Sequence, residues 1–140
     1  MKRNYKINQS IYIEDDSGEY DLHNDYDFKG LHYSIEGRIL VLKWSRTGGE
    51  WVNQDMPMAL SIKFSGVSEF RFMPRDKDIP FTEDDCLNSF GYWVDEDWAE
   101  GVITINDNQA PEPEWLTGID FMSGAVIAIQ AEQANLEIKA

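Results

Sequence analysis

The sequence predicts an all-β fold, either an antiparallel β-sandwich or a strongly curved sheet of about 8–10 strands, with room for one short helix. The β-branched residues Ile and Val number 13 and 6 against 8 Leu, and aromatic residues make up 13% of the chain, a bias typical of strands. Apolar and polar residues alternate over short runs, which is the period of a half-buried strand. Turn-forming residues separate these runs at intervals of about 8–12 residues, as they do in sandwiches.

The first predicted strands lie before residue 45. Residues 5–13 alternate with one parity and predict a single strand, which an acidic loop over residues 14–27 follows. Residues 31–35 alternate again, and Glu36-Gly37 predicts a tight hairpin turn because Gly tolerates positive φ. The return strand, residues 38–44, is apolar on both parities, which predicts a central strand covered on both faces.

The middle of the chain gives less definite patterns. Residues 60–72 alternate around the interruption Ser65-Gly66, which predicts a strand pair or one bulged strand that ends at Pro74. Residues 83–90 fit either a helical turn with an acidic N-cap, Asp84 or Asp85, or a strand. The pattern leaves both alternatives open.

The last third predicts a short strand and then a hairpin. Residues 101–105 form the short strand, which ends at the turn-forming residues 106–108, and Pro111 and Pro113 exclude a central strand after it. Residues 116–121 and 125–131 predict a hairpin around Ser123-Gly124, and residues 136–138 predict a closing strand.

Length and charge limit the class of protein. The 140 residues contain no repeat and no linker, so we expect a single domain over residues 1–140. No run of about 18 apolar residues and no secretion leader are present, and Cys86 cannot form an internal disulfide, which together favour the cytoplasm over a membrane or the secretory route. The net charge of −14 disfavours binding to nucleic acid because phosphates are repelled.

The charge is unevenly distributed along the chain. Residues 1–77 carry 12 acidic and 11 basic side chains, whereas residues 78–138 carry 14 acidic side chains and no Lys or Arg. A solvated acidic surface that serves solubility is one interpretation. The other is that this segment produces a field that steers a cationic partner toward the protein.

Motifs for catalysis or metal binding are weak. Asp25 to Glu36 has part of the spacing of a calcium loop, but Lys29 stands where a ligand is required. His23 and His32 lack the companions of a zinc site, and the acids beside Cys86 disfavour its thiolate, so we expect a buried structural cysteine. We therefore expect no cofactor, no bound metal and no enzymatic activity.

Tryptophan residues next to acids predict a binding surface. Trp93 and Trp98 enclose the acidic triplet 95–97, and aromatic residues ringed by carboxylates complement Arg or Lys side chains. The predicted partner-binding residues are Trp93, Asp95, Glu96, Asp97, Trp98, Glu100, Glu112, Glu114 and Trp115.

Parts of the chain resemble small cytoplasmic bacterial β proteins, some of which are immunity proteins of polymorphic toxin systems. The resemblance lies in four stretches, residues 27–31, 38–44, 64–70 and 121–129, within about two thirds of the chain. It implies a non-enzymatic single domain with a toxin as partner. It assigns no residue of this sequence a role.

These observations lead to one principal hypothesis and two alternatives. The principal hypothesis is a non-enzymatic protein-binding module, an immunity-type inhibitor that binds a basic partner such as a toxin through the acidic tryptophan-containing surface. The first alternative is a carbohydrate-binding module that uses exposed Trp and carboxylates. The second is a hydrolase that uses a carboxylate pair such as Asp95 with Asp97 or Glu112 with Glu114. The sequence predicts no oligomeric state.

Overall fold

The computed structural model describes residues 1–106 and 109–139 and is almost entirely β. In these residues it has twelve strands and one 3₁₀ turn. The strands are β1 (Lys2–Arg3), β2 (Lys6–Asn8), β3 (Tyr12–Asp15), β4 (Gly18–Asp21), β5 (Tyr26–Ser34), β6 (Ile39–Arg46), β7 (Ala59–Ser65), β8 (Glu69–Met73), β9 (Leu87–Trp93), β10 (Leu116–Phe121), β11 (Val126–Gln130) and β12 (Gln133–Lys139), and the turn is Phe81–Glu83.

The strands form three sheets. A five-stranded sheet has the order β1-β12-β7-β6-β5, a four-stranded sheet has the order β8-β11-β10-β9, and β2-β3-β4 form a three-stranded meander. The predicted all-β, sandwich-like fold is therefore confirmed. Within the described residues the pairings are antiparallel except for the short parallel pair of β1 with β12.

One apolar core draws on all three sheets. The alternating residues Leu40, Leu42 and Trp44 of β6 are buried, and so are Ile119 of β10 and Ile127 of β11. Edge-to-face aromatic contacts, within one sheet as well as between parts of the core, add to the energy of burial. These contacts are Phe28 with Trp44, Tyr5 with Phe90, and Tyr20 with Tyr26; Phe28 also stacks at a tilt on Phe121.

Residues 5–13 form two strands instead of the predicted single strand. The chain turns at Gln9 and Ser10, both at positive φ (50° and 62°), and Ile7 of β2 then pairs with Ile13 of β3. Three residues connect the paired residues Asn8 and Tyr12, and an odd number preserves the parity of the alternation, so the pattern of one strand and that of this hairpin are the same. This division is one reason why the strands outnumber the expected 8–10.

The strand pair predicted around Ser65-Gly66 is also wrong, because β7 and β8 belong to different sheets. β7 pairs with β6 and β12, whereas β8 pairs with β11. The chain crosses between the sheets at Gly66, whose φ of 67° strongly favours glycine. Val67 follows and is buried, with its N–H donating to Arg38 O over 3.0 Å.

Other local expectations have mixed outcomes. The hairpins 31–44 and 116–131 are confirmed by β5-β6 and β10-β11, although Arg38 and not Gly37 has the positive φ in the first turn. β6 is central but covered on one face only, since Lys43 is exposed. Residues 83–90 contain the end of the 3₁₀ turn and the start of β9.

The prediction of a short strand over residues 101–105 is wrong. Of residues 101–105, only Ile103 forms a β-bridge, to Tyr92. The turn predicted at 106–108 includes Asp107 and Asn108, which lie outside the described residues. Among the described residues, no helix has the length and apolar composition needed to cross a lipid bilayer.

Candidate functional site

The predicted binding residues lie on or beside the segment that connects β9 to β10, residues 94–115, here called the acidic loop. The loop is fastened to the outer edge of β9 by Tyr92 and Ile103, which exchange two N–H to O bonds of 2.8 Å. Gly91 makes this possible, since a Cβ there would lie 2.1 Å from Ile103 O. The conformation of the loop is therefore coupled to the sheet.

Asp95 forms an ion pair with another residue of the same chain, at the surface. Arg71 of β8 donates to both of its carboxylate oxygens, over 2.7 and 2.6 Å, and Trp93 Nε1 donates to the same carboxylate over 3.1 Å. The hydrogen bond from Arg71 is the main reason why the pKa of Asp95 lies below its usual value. Glu69 contacts Arg71 as well, over 2.7 Å. Asp95 and Trp93 thus have a structural role that their sequence neighbourhood does not reveal.

Arg71 can reach Asp95 because small residues separate them. In register across the four-stranded sheet, Arg71 stands beside Ala128, which stands beside Gly118, which stands beside Gly91. These are positions of one face, because residues directly opposite in a ladder project to the same side. Beyond Arg71 the row itself has no side chain larger than a methyl group, and the acidic loop covers its far end, where a Cβ at Gly91 would meet Ile103 O and Val102 Cγ1.

A second arginine neutralises another acid of the base-free segment. Arg75 Nε donates to Asp84 over 2.8 Å, and this bond is the main cause of the lowered pKa of Asp84. The Arg75 guanidinium also lies over the ring of Phe81, 4.6 Å from its centroid. Arg71 and Arg75 are the last two arginines of residues 1–77, and each binds an acid of the base-free segment.

Trp98 and Trp115, which are far apart in sequence, come together. Their ring centroids are 6.4 Å apart, and Trp115 packs in turn on Tyr92 at 6.0 Å. Arg3 lies over the other part of this row, 5.2 Å from the Tyr92 centroid. Trp98 is the exposed end of the row, at 64% of its full accessible surface, whereas Trp115 is half-buried.

The carboxylates around this tryptophan pair are exposed. Every one of them lies within three residues of Trp98 or Trp115 in the chain, and the rings of these two residues are in contact. Among the described residues, none of them forms an ion pair. They are Glu96, Asp97, Glu100, Glu112 and Glu114.

The second arm of the loop is also anchored. Gln130 Nε2 of β11 donates to Pro113 O over 3.1 Å and to Trp115 O over 3.3 Å. These bonds hold the backbone on which Glu112 and Glu114 stand. We define the acidic tryptophan surface as Trp98, Trp115 and the exposed carboxylates Glu96, Asp97, Glu100, Glu112 and Glu114.

Asp95 lacks a property that the acid of a glycosidase pair requires. A general acid needs a raised pKa, but the ion pair with Arg71 lowers the pKa of Asp95. This argues against Asp95 as the acid of a pair with Asp97. The exposed side chains of Glu112 and Glu114 are adjacent to Pro113 on the loop.

Cys86 lies next to His23 without the features of a nucleophile. Its Sγ is 3.8 Å from His23 Nδ1, and that nitrogen also contacts Leu87 O. Burial, followed by the charges of Glu83 and Asp85, raises the pKa of the thiol. We expected a buried cysteine, but Cys86 is only half-buried. The described residues contain no cluster of three or more metal-binding side chains.

Sequence reasoning missed the three residues that organise the site, which are Arg3, Arg71 and Tyr92. Each acts through a contact between distant parts of the chain, and no local pattern indicates such a contact. Comparison with protein-family models, with curated protein sequences and with solved structures finds no match. The resemblance to immunity proteins therefore stays a prediction.

Proposed function

We propose that this chain is a non-enzymatic protein-binding module of the immunity type, which inhibits a basic partner such as a toxin through the acidic tryptophan surface. One observation carries the proposal. Trp98, supported from below by Trp115, is exposed among carboxylates that have no ion pair within the described part of the chain.

The chemistry of this surface fits arginine and lysine side chains. A rigid aromatic ring with a second ring behind it is a suitable anchor, since Trp residues dominate the energy of many interfaces. A guanidinium can stack on the Trp98 ring while its N–H groups donate to neighbouring carboxylates. Arg71 and Asp95 show the same preference inside the protein, where the guanidinium binds the carboxylate through two hydrogen bonds.

Inhibition would follow from where such a partner is most basic. A nuclease toxin has a positively charged active site that receives phosphate, and a surface rich in carboxylates can occupy that site in place of the phosphates. The net charge of −14 would speed the encounter. It would also keep the inhibitor itself away from nucleic acid.

Affinity capture with matched variants tests the proposal. The wild-type chain is used as bait in an extract of its source cells, and the captured protein is identified by mass spectrometry. Glu96→Lys with Asp97→Lys, and separately Trp98→Ala, should abolish capture of one basic protein. The controls Glu36→Lys with Glu50→Lys, and Trp51→Ala, change the same number of charges and another exposed tryptophan elsewhere, and they should retain it.

Two results would contradict the proposal. The first is a partner retained equally by all variants, which would place its binding site away from the acidic tryptophan surface. The second is an acidic partner. The carbohydrate-binding alternative on this same surface predicts instead that a glycan changes the tryptophan fluorescence of the wild-type chain but not that of Trp98→Ala.

A further inference from the structure

A cleft of about 680 Å³ lies between the three-stranded meander and part of the acidic loop. The loop residues that line it are Ile105, Asn106, Gln109 and Pro111. A second cavity of about 630 Å³ shares Ile7, Gln9 and Tyr92 with it, so the two form one groove. Each volume is in the range of small-molecule sites. The groove is separate from Trp98, which does not line it.

Four carboxamide side chains line the cleft. Asn8 and Gln9 belong to the meander, and Asn106 and Gln109 belong to the loop. Their bonds to the protein leave part of each group unused within the described residues. Asn8 donates through Nδ2 to Glu19, over 2.8 Å, and Gln109 accepts through Oε1 from the Asn106 N–H, over 3.1 Å. The Asn8 Oδ1 acceptor and the Gln109 Nε2 donors form no hydrogen bond within the described residues.

The charged side chains cancel one another among the described residues that line the groove. Arg3 and Lys6 contribute two positive charges, and Glu14 and Glu19 contribute two negative charges. This part of the lining by itself therefore favours neither an anion nor a cation. Ile7, Ile105 and Pro111 add apolar surface between the polar groups.

The wall of the groove carries backbone strain and unpaired polar atoms. Gln9 and Ser10 both adopt positive φ, which residues with side chains rarely do, and Ser10 O accepts the N–H of Phe90 over 2.6 Å. Strained residues of this kind cluster at binding sites. Tyr5 OH and Arg3 Nε belong to residues that also line the groove, and both atoms are buried without a well-aligned hydrogen-bond partner among the described residues. Buried polar atoms without partners are rare in proteins.

We propose that this groove binds a neutral saccharide of one or two rings. Each sugar hydroxyl both donates and accepts a hydrogen bond, and a carboxamide is the side chain that offers both functions without charge. The balanced charges disfavour phosphorylated or acidic sugars, and the apolar residues Ile7, Ile105 and Pro111 match the C–H faces of a sugar ring. The proposal is independent of partner capture at the acidic tryptophan surface.

Nuclear magnetic resonance of the side-chain amides tests the site directly. The ¹⁵N-labelled chain is titrated with glucose, galactose, N-acetylglucosamine, maltose and cellobiose, and with glucose 6-phosphate and glucuronate as charged counterparts. A neutral sugar should shift the amide signals of Asn8, Gln9, Asn106 and Gln109. Gln9→Gly should lower the affinity for that sugar by about fivefold to tenfold, because a hydrogen bond is lost. The fold is retained because glycine accepts the positive φ.

The control Gln54→Ala removes an exposed amide in the connection between β6 and β7, which does not line the groove, and it should leave the affinity unchanged. The proposal would be overturned if none of the neutral sugars shifted these signals, or if only the charged sugars did. It would also be overturned if Trp98→Ala rather than Gln9→Gly abolished the response, since the sugar would then bind at the acidic tryptophan surface. Partner capture would not be affected by any of these results.

Discussion

The acids of the second half of the chain fall into two groups that differ in what faces them. Asp84 and Asp95 lie next to β8 and the residues that follow it. Arg75 binds Asp84, and Arg71 binds Asp95. Glu96 and Asp97, one and two residues further on, are exposed without an ion pair in the described residues. Position in the fold, and not composition, therefore decides which carboxylates are available to a partner.

The same contrast holds for the aromatic residues. Phe90 of β9 is 1% exposed and lies edge-on against Tyr5, so it joins the two halves of the chain. Trp98 is only a few residues beyond the same strand, yet most of its surface is exposed. We propose that the first residue serves folding and the second serves binding.

The largest expected effect comes from truncating the buried aromatic residue. Phe90→Ala should lower the free energy of unfolding by about 3–5 kcal/mol, because it leaves a cavity between the sheets. Trp98→Ala should change it by less than about 0.5 kcal/mol, as is usual for exposed positions. Urea unfolding followed by circular dichroism measures both. Equal losses would show that Trp98 is part of the fold and not reserved for a partner.

Next in size is the attachment of the acidic loop to β9. Gly91→Ala places a methyl group against Ile103 O and should destabilise the protein by about 1–3 kcal/mol while weakening the Tyr92–Ile103 bridge. Gly48→Ala is the matched control, since no atom lies within 4 Å of the added Cβ. Amide hydrogen exchange at Ile103 should become faster in the first variant only. Unchanged exchange would mean that the bridge does not hold the loop.

A smaller effect distinguishes two buried tyrosine hydroxyls. Tyr26 OH donates to Pro57 O over 2.9 Å, so Tyr26→Phe should cost about 0.5–1.5 kcal/mol. Tyr5 OH has no partner among the described residues, so Tyr5→Phe should be nearly neutral or slightly stabilising. Thermal unfolding at pH 7 compares the two variants. An equal loss in both would indicate that Tyr5 OH has a partner in solution.

The paired carboxylate should appear in the pH dependence of stability. The pKa of Asp95 is lowered in the folded protein below its ordinary value of 3.8, so the ion pair stabilises the fold above pH 3.8. That stabilisation is lost as the pH falls below 3.8 and through the lowered pKa. Asp95→Asn should flatten this part of the curve of melting temperature against pH. Glu36→Gln, at an exposed turn, should leave the curve unchanged, and an identical curve for both variants would exclude the ion pair from solution.

Sequence patterns were sufficient for two of the hairpins but not for the site. The hairpins β5-β6 and β10-β11 could be predicted because alternation and a local turn specify them within about twenty residues of chain. The turn at Gln9 and Ser10 could not, since neither residue is a usual choice for positive φ. The pairs Arg71–Asp95 and Trp98–Trp115 depend on which strands become neighbours, and residue types near each partner contain no record of that.

This difference sharpens which residues should be changed. Trp93, Asp95, Glu96, Asp97 and Trp98 form one continuous run in the sequence apart from Val94, but the structure separates the run into an anchored part and an exposed part. Reversing the charge of Asp95 would place a cation beside Arg71 and disturb the sheet. The binding experiment therefore leaves Asp95 intact and reverses Glu96 and Asp97.

The salt dependence of association tests the central claim most directly. The rate constant for binding the captured partner is measured by stopped-flow fluorescence at increasing ionic strength, for the wild-type chain and for Glu96→Lys with Asp97→Lys. Electrostatic steering by the acidic tryptophan surface predicts that the variant is at least about tenfold slower at low salt and that its rate depends less on salt. An unchanged rate and an unchanged salt dependence would show that these carboxylates serve solubility only.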